Sequence, residues 1–264
     1  MRAFILLTLF PAAAGLAYAT SLSTENYVRY YAATDSRYSF ACRNGNGVAC
    51  GGQTTVLGTG WILDYHSNSQ STFGLLAGQA SAYLSGLDNG VAPPTFISVG
   101  GRANYIETTT ITGGTGTGRE TMRFHVTGTS SNSSGNSARA QLQLIPIDAQ
   151  GHFGTEQNFG VDSSGNAFIP ISFTFGVAFS YEISFYSLAQ IFRYESGAYA
   201  ISDFSHTVVL DSIGVTDNSG SRLNDFGISA ASGTVYTSSG IIPEPGTLAL
   251  CLAGLAGLKF SRKL

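Results

Sequence analysis

Four histidines, three cysteines and sixteen acidic residues are the groups of this 264-residue chain that can move protons or hold metals. Asp64 and His66 stand two apart in the run from Trp61 to His66, so on a strand both side chains leave from one face. Two ligands only begin a metal site, and the plainer reading is a solvated face. His125 lies opposite the apolar positions of Met122, Phe124 and Val126, beside Arg123, and is expected at the surface. His206 shares parity with Val208 and Leu210 and is expected to be partly buried and hydrogen-bonded. Asp203 and His206 have no identifiable nucleophile to complete a Ser-His-Asp triad. No Gly-x-Ser-x-Gly elbow, His-Glu-x-x-His pair or Walker A loop occurs in the chain. Gly113-Gly-Thr-Gly-Thr-Gly118 is glycine-rich but lacks a lysine, and reads as a hairpin turn. No catalytic residue, metal site or cofactor is assigned, and the chain is not expected to be an enzyme.

Two binding chemistries remain. Asp162-Ser-Ser-Gly-Asn166 and Asp217-Asn-Ser-Gly220 place side-chain oxygens and a glycine in short loops, as calcium sites do. Asx turns use the same residues without a metal, and neither loop ends in the Glu an EF-hand needs. Tyr27, Tyr30 and Tyr31 cluster early, and Trp61 and Tyr65 flank Asp64. Exposed rings of that kind stack on sugars, while rings at inward parity fill a core. One Thr-x-Thr register at Thr108–Thr112 is too short for an ice-binding face. A glycan hydrolase needs two carboxylates about 5–9.5 Å apart, a spacing the sequence does not display.

Charge is scarce: DEKR make up 11% of the chain, against about 25% in ordinary domains, and Gly contributes 33 residues. Both lysines, Lys259 and Lys263, lie in the last six residues. Between residues 20 and 242 nine arginines face fifteen acids, a balance of −6. A lysine-free acidic body is a poor partner for nucleic acid, whose binding rests on clustered cations. Cys42 and Cys50 bracket a Gly/Asn-rich loop and are expected to form a disulfide in an oxidising compartment. Closing nine residues is worth roughly 2–3 kcal/mol on the chain-entropy account.

Strands must position these residues. Ile171, Phe173, Phe175, Val177, Phe179, Tyr181, Ile183 and Phe185 alternate with small or polar residues, the period of a sheet with one buried face, bent near Gly176. The same period runs through Met122–Val126 and Ala140–Leu144. It shifts phase between Leu210 and Ile213, which predicts a bulge near Asp211-Ser212. Turn clusters separate the runs, at Asp88–Gly90, Asn132–Gly135, Asp148–Gly151 and Asp217–Gly220. With no helical period between them, these runs predict one all-β domain over 20–240, an antiparallel sandwich, with a short stalk at about 236–242.

The ends read as addresses. Residues 1–19 have one arginine, an apolar run of about ten residues, and small residues at Ala17 and Ala19, a secretory signal peptide cleaved after Ala19. At the other end, Pro243-Glu244-Pro245 precedes an apolar stretch with Leu248, Leu250, Leu252, Leu255 and Leu258. A basic tail follows, with Lys259, Arg262 and Lys263. The stretch is short beside the roughly 20 residues that span a bilayer, and its basic end belongs in the cytoplasm.

Residues 241–264 resemble the PEP-CTERM sorting signal of Gram-negative bacteria: Pro-Glu-Pro, an apolar helix, then a basic tail. The resemblance implies signal peptidase and an exosortase as processing partners. It also implies transient anchoring in the inner membrane, then release to the cell surface or medium. Thr110–Gly118, Asp203–Leu210 and Ala231–Tyr236 look like recurrent blocks in the β-rich bodies of such proteins, which implies a single jelly-roll-like sandwich and no activity. The expected role is a non-enzymatic surface or matrix protein associated with exopolysaccharide. A calcium-dependent adhesive or carbohydrate-binding module is the alternative.

Overall fold

Alternation at period two buries one side of each strand and leaves the other to water, so sheets built from it pair by their apolar faces. The computed structural model describes residues 20–31, 36–44, 53–57, 61–86, 96–161, 164–193, 195–238 and 240–242; of 30–57, 206–207 and 240–242 it describes the backbone alone. The expected signal peptide with Ala17 and Ala19, the whole segment 243–264, and Cys50 lie outside the described residues.

The described residues form strands and no helix. In chain order these are β1 (Ser21–Tyr31), β2 (Ser36–Asn44), β3 (Gln53–Leu57), β4 (Trp61–Thr72), β5 (Leu75–Gly86) and β6 (Phe96–Thr112). Next come β7 (Thr117–Asn132), β8 (Ser137–Ile147), β9 (Gln157–Gly160), β10 (Gly165–Thr174), β11 (Phe179–Ile191) and β12 (Ala198–Asp217). Four short strands close the series: β13 (Arg222–Leu223), β14 (Gly227–Ala230), β15 (Val235–Thr237) and β16 (Gly240–Ile242). One sheet has the order β2-β1-β6-β11-β8-β9 and the other β10-β7-β12-β5-β4-β3, every pairing antiparallel. We call them the β6 and β12 sheets. Their apolar sides face each other as the layers of a β-sandwich.

Two apolar clusters fill the interior. The larger gathers Tyr105, Phe124, Leu142, Tyr181, Phe185 and Phe204; the smaller gathers Leu63, Leu84, Ile97, Val99 and Ile191. Between them lie small and polar groups. Ser69 donates to Asn26 Oδ1 at 3.0 Å, and Ser187 donates to the Ser202 carbonyl at 2.9 Å. Here the sheets close to backbone contact: a Cβ on Gly101 would stand 2.9 Å from the Asn68 carbonyl. Part of the high glycine and serine content serves this close approach.

The chain differs from the expected order in three places. The run 171–185 is two strands, not one bent strand. It breaks at Phe175–Ala178, where Gly176 has φ +74°, and passes from the β12 sheet to the β6 sheet. Alternation survives the crossing, with Val177 alone turned out at 55% exposure. Likewise Gly113–Gly116 is no hairpin, because it joins β6 to β7 in the opposite sheet; Gly113 has φ +99°, and a Cβ there would meet the Asp225 carbonyl at 2.7 Å. The expected stalk at 236–242 is a β15–β16 hairpin with Tyr236 buried. The bulge stands where the phase shift puts it, between Leu210 and Ser212.

Candidate functional site

The outer face of the β6 sheet carries a groove of about 440 Å³ lined from four strands, within the usual range for ligand sites of about 300–1,000 Å³. Strand register stacks its residues in rows. Glu25, Arg102, Tyr186 and Gln141 form one row across β1, β6, β11 and β8; Tyr27, Gly100, Leu188 and Arg139 form the next; Arg29, Ser98 and Gln190 follow. All lie at the parity opposite the core residues of their strands, so the phase that buries Ala103, Phe185 and Leu142 also presents this face.

The floor is aromatic and the rim polar. A Cβ on Gly100 would stand 2.5 Å from the Tyr27 ring, so the missing side chain is what leaves room for that ring over β6. Arg102 is held on three sides. Its Nη2 donates to Glu182 Oε1 at 2.5 Å and to Ser184 Oγ at 3.2 Å, and its guanidinium carbon lies 5.1 Å from the Tyr186 ring centroid. Burial pushes the Tyr186 hydroxyl up to about 12 against the lowering influence of Arg102, so it stays a neutral donor. Ser184 also donates to Glu182 Oε1 at 2.6 Å. One row away, Gln143 donates to Glu156 Oε1 and Asn158 Oδ1, both at 2.7 Å. Two buried polar atoms here have no hydrogen-bond partner, Arg102 Nε and Gln143 Oε1. The arrangement offers flat rings, fixed amides and guanidinium donors together, which is what ring-shaped hydroxylated ligands engage.

Of the aromatic candidates, Tyr27 reaches this floor. Trp61 and Tyr65 do not: they are 6% and 5% exposed and pack into the smaller core cluster, a correction to their reading as a sugar platform. Tyr30 and Tyr31 belong to β1, with side chains outside the described residues. Asp64 and His66 lie on the exposed face of β4, as a solvated face requires, and His125 is exposed on β7. Among the described residues no three His, Cys, Asp or Glu side chains gather as metal ligands. Asp217 is spent locally: its Oδ1 accepts from Ser219 Oγ at 2.6 Å, Ser219 N at 2.9 Å and Ser221 N at 3.0 Å. Those bonds, the Ser219 hydroxyl first, hold its carboxyl below the usual range. Asp162 and the side chain of His206 lie outside the described residues, as does the Cys42–Cys50 link.

A second polar centre was not found from sequence. Glu107 on β6 and Glu120 on β7 point into the larger core cluster, each 0% exposed. Glu107 is fully engaged: Oε1 accepts from Thr108 N at 2.9 Å and Ser232 N at 3.2 Å, and Oε2 from Ser232 Oγ and from Tyr236 OH at 3.2 Å. Neither oxygen of Glu120 has a partner, and burial pushes its carboxyl up to about 8. Burial, then the charges of Glu107 and Glu120, holds the Tyr105 phenol far above its ordinary value. Glu120 shares parity with Met122, Phe124 and Val126, a signal of burial that was legible.

No protein-family profile matches the chain, and no curated protein matches it. Among solved structures, the enzymatically active domain of bacteriophage CBA120 tailspike protein 4 is similar over 60% of this chain and 20% of that one, at 14% identity and a TM-score of 0.20. The chain thus spans about a fifth of that protein, and a likeness so low carries no argument for fold or activity. Among the described residues no helix is long and apolar enough to cross a membrane.

Proposed function

We propose that this is an exported, non-enzymatic surface or extracellular-matrix protein whose sandwich associates with exopolysaccharide. The groove over Tyr27, Tyr186 and Leu188 is the observation that carries the partner. The ordered Pro243-Glu244-Pro245, apolar and basic pieces carry the address. The order β5-β12-β7-β10 against β6-β11-β8-β9, with crossings between sheets at most connections, supports a jelly roll extended by β1–β4 at the edges. Glycoside hydrolysis needs a proton donor facing a second carboxylate. Glu25 lines the groove, but of the carboxylates beside it Glu182 is occupied as the acceptor of Arg102 and Ser184 and Glu156 accepts from Gln143, while the core acids Glu107 and Glu120 are sealed from any glycan. A calcium-dependent adhesive draws no support from the Asp217 loop, whose carboxylate already serves an Asx turn.

The route follows from the ends: removal of residues 1–19, retention in the inner membrane through 248–258, then cleavage by an exosortase near Pro243. Mass spectrometry of surface material should find C-terminal peptides ending before Leu248 and a Cys42–Cys50 linked peptide. Recovery of intact Leu264 outside the cell would sink the sorting route, and two alkylatable thiols would sink the staple. Deleting 246–264 should leave a soluble body in the periplasm.

A further inference from the structure

We infer that removal of residues 1–19 creates an internal ion pair, in which the new α-ammonium of Thr20 seats against the buried Glu107 carboxylate. The inference rests on the proposed cleavage after Ala19 and adds what that cleavage does to the sandwich. Two strands share one edge of β6, because β11 takes the other. β1 runs along that edge to Ser21, opposite Ile106, and the same register brings Thr20 level with Glu107. β14 arrives from the opposite end, pairing Ala230 with Thr109, and Ala231 N then donates to the Thr108 carbonyl. A notch at Glu107 separates the two strand ends. The N–H and C=O of one strand residue leave on the same edge, so Thr108 N faces this notch with its carbonyl. It donates to Glu107 Oε1 at 2.9 Å, and Ser232 N donates to the same oxygen at 3.2 Å. The carboxylate is thereby turned into the notch, between Thr20 and Ser232.

What the notch lacks is a countercharge. All the donors to Glu107 are neutral, and among the described residues no Arg or His pairs with it. The ionisable groups that sense its charge are Tyr105 on β6, Tyr181 on β11 and Tyr236 on β15, with Glu120 on β7 acting on the same three phenols; none is a cation. A buried charge without an opposite charge is costly. Both lysines lie in the last six residues, so the α-amine is the one ammonium the body can supply. In the uncut chain Thr20 N is a neutral amide. Hydrolysis of the Ala19–Thr20 bond takes up one water, leaving a carboxylate on Ala19 and an ammonium with three N–H donors on Thr20. Thr20 is half-buried at the mouth of the notch, where that ammonium faces the carboxylate. Cleavage at one end of the chain thereby fastens the segment that leads to Pro243 at the other.

The test begins with N-terminal sequencing of the protein purified from the cell surface. A first residue other than Thr20 overturns the cleavage reading and this inference with it. With Thr20 first, acetylation of its amine by a succinimidyl ester is followed on the N-terminal peptide by mass spectrometry, across the pH range in which α-amines titrate. Only the unprotonated amine reacts, and a neighbouring carboxylate keeps it protonated to higher pH. Half-maximal labelling should therefore come at higher pH in the folded protein than in urea, with labelling near neutral pH about tenfold slower. Burial without an ion pair moves the profile to lower pH, and a free terminus leaves it in place. Either result overturns the inference while the cleavage reading stands. Glu107→Gln should bring the folded profile back to that in urea, and Glu120→Gln should leave it shifted; the reverse pattern overturns the pairing. Should Glu107→Gln fail to fold, one alanine inserted before Thr20, which moves the amine along the strand, should abolish the shift. A shift that survives the insertion overturns the inference.

Discussion

Glu120→Gln should abolish a fall in stability that the native protein shows between pH 4.5 and pH 8. The carboxyl is 0% exposed, neither oxygen has a partner, and burial raises it from 4.5 to about 8. Below pH 4.5 folded and unfolded chains both hold the proton, and the residue adds no pH dependence. Between 4.5 and about 8 the unfolded chain releases it while the folded chain keeps it, so stability declines as pH rises. Above 8 both are ionised and the loss is complete. At about 1.4 kcal/mol per pH unit, the full loss approaches 5 kcal/mol. Urea midpoints of native and Glu120→Gln protein, taken at pH 5 and pH 8.5, measure it as a difference that other groups share and cancel. Glu120→Leu should be more stable than native at pH 8.5. Parallel pH profiles for native protein and Glu120→Gln would show that the carboxyl is not buried as described.

Loss of the Glu107 carboxylate should cost stability, because its oxygens are hydrogen-bonded where those of Glu120 are not. It is the acceptor for four donors, three of them from the segment that follows β14. That segment enters as β14, pairing with Thr109–Thr112 on the β6 edge beyond the end of β1, and continues through Ala231 N to the Thr108 carbonyl at 2.9 Å. Glu107→Ala strips Ser232 N and the Tyr236 hydroxyl of their partner inside the protein. Each such group costs about 1–3 kcal/mol, so a loss of roughly 2–6 kcal/mol is expected. Glu107→Gln keeps one acceptor and should recover part of it. Limited proteolysis reads the local consequence: new cleavage in 227–242, immediately before Pro243, in Glu107→Ala alone. Unchanged resistance there would show that β14 pairing, not the carboxylate, seats the segment.

Much of the sandwich was legible because period two depends only on which side of a strand is dry. Met122, Phe124, Val126, Ala140, Leu142 and Leu144 are all buried. Which sheet a strand joins leaves no such mark. The 171–185 run keeps its phase while changing sheets, since the inner face stays the inner face across the turn. Gly176, at φ +74°, was the local sign of the break. The groove was hidden for a related reason. Tyr27, Arg102, Arg139 and Tyr186 are polar-side residues of four strands, brought together by β1–β6–β11–β8 pairing whose register spans the whole body. Trp61 and Tyr65 misled as aromatics near an acid; their parity with Leu63 marks them as core.

Hydroxyl-radical footprinting of the mature protein, with and without exopolysaccharide purified from the producing cells, tests the proposed glycan face most directly. Oxidation of Tyr27, Phe96 and Tyr186 should fall when the polymer is present. Ile62 and Tyr83, exposed at 42% and 49% on the opposite sheet, should oxidise as before. Protection of Ile62 and Tyr83 instead, or no protection anywhere at saturating polymer, would contradict the assignment of the β6 face as the polysaccharide-binding surface.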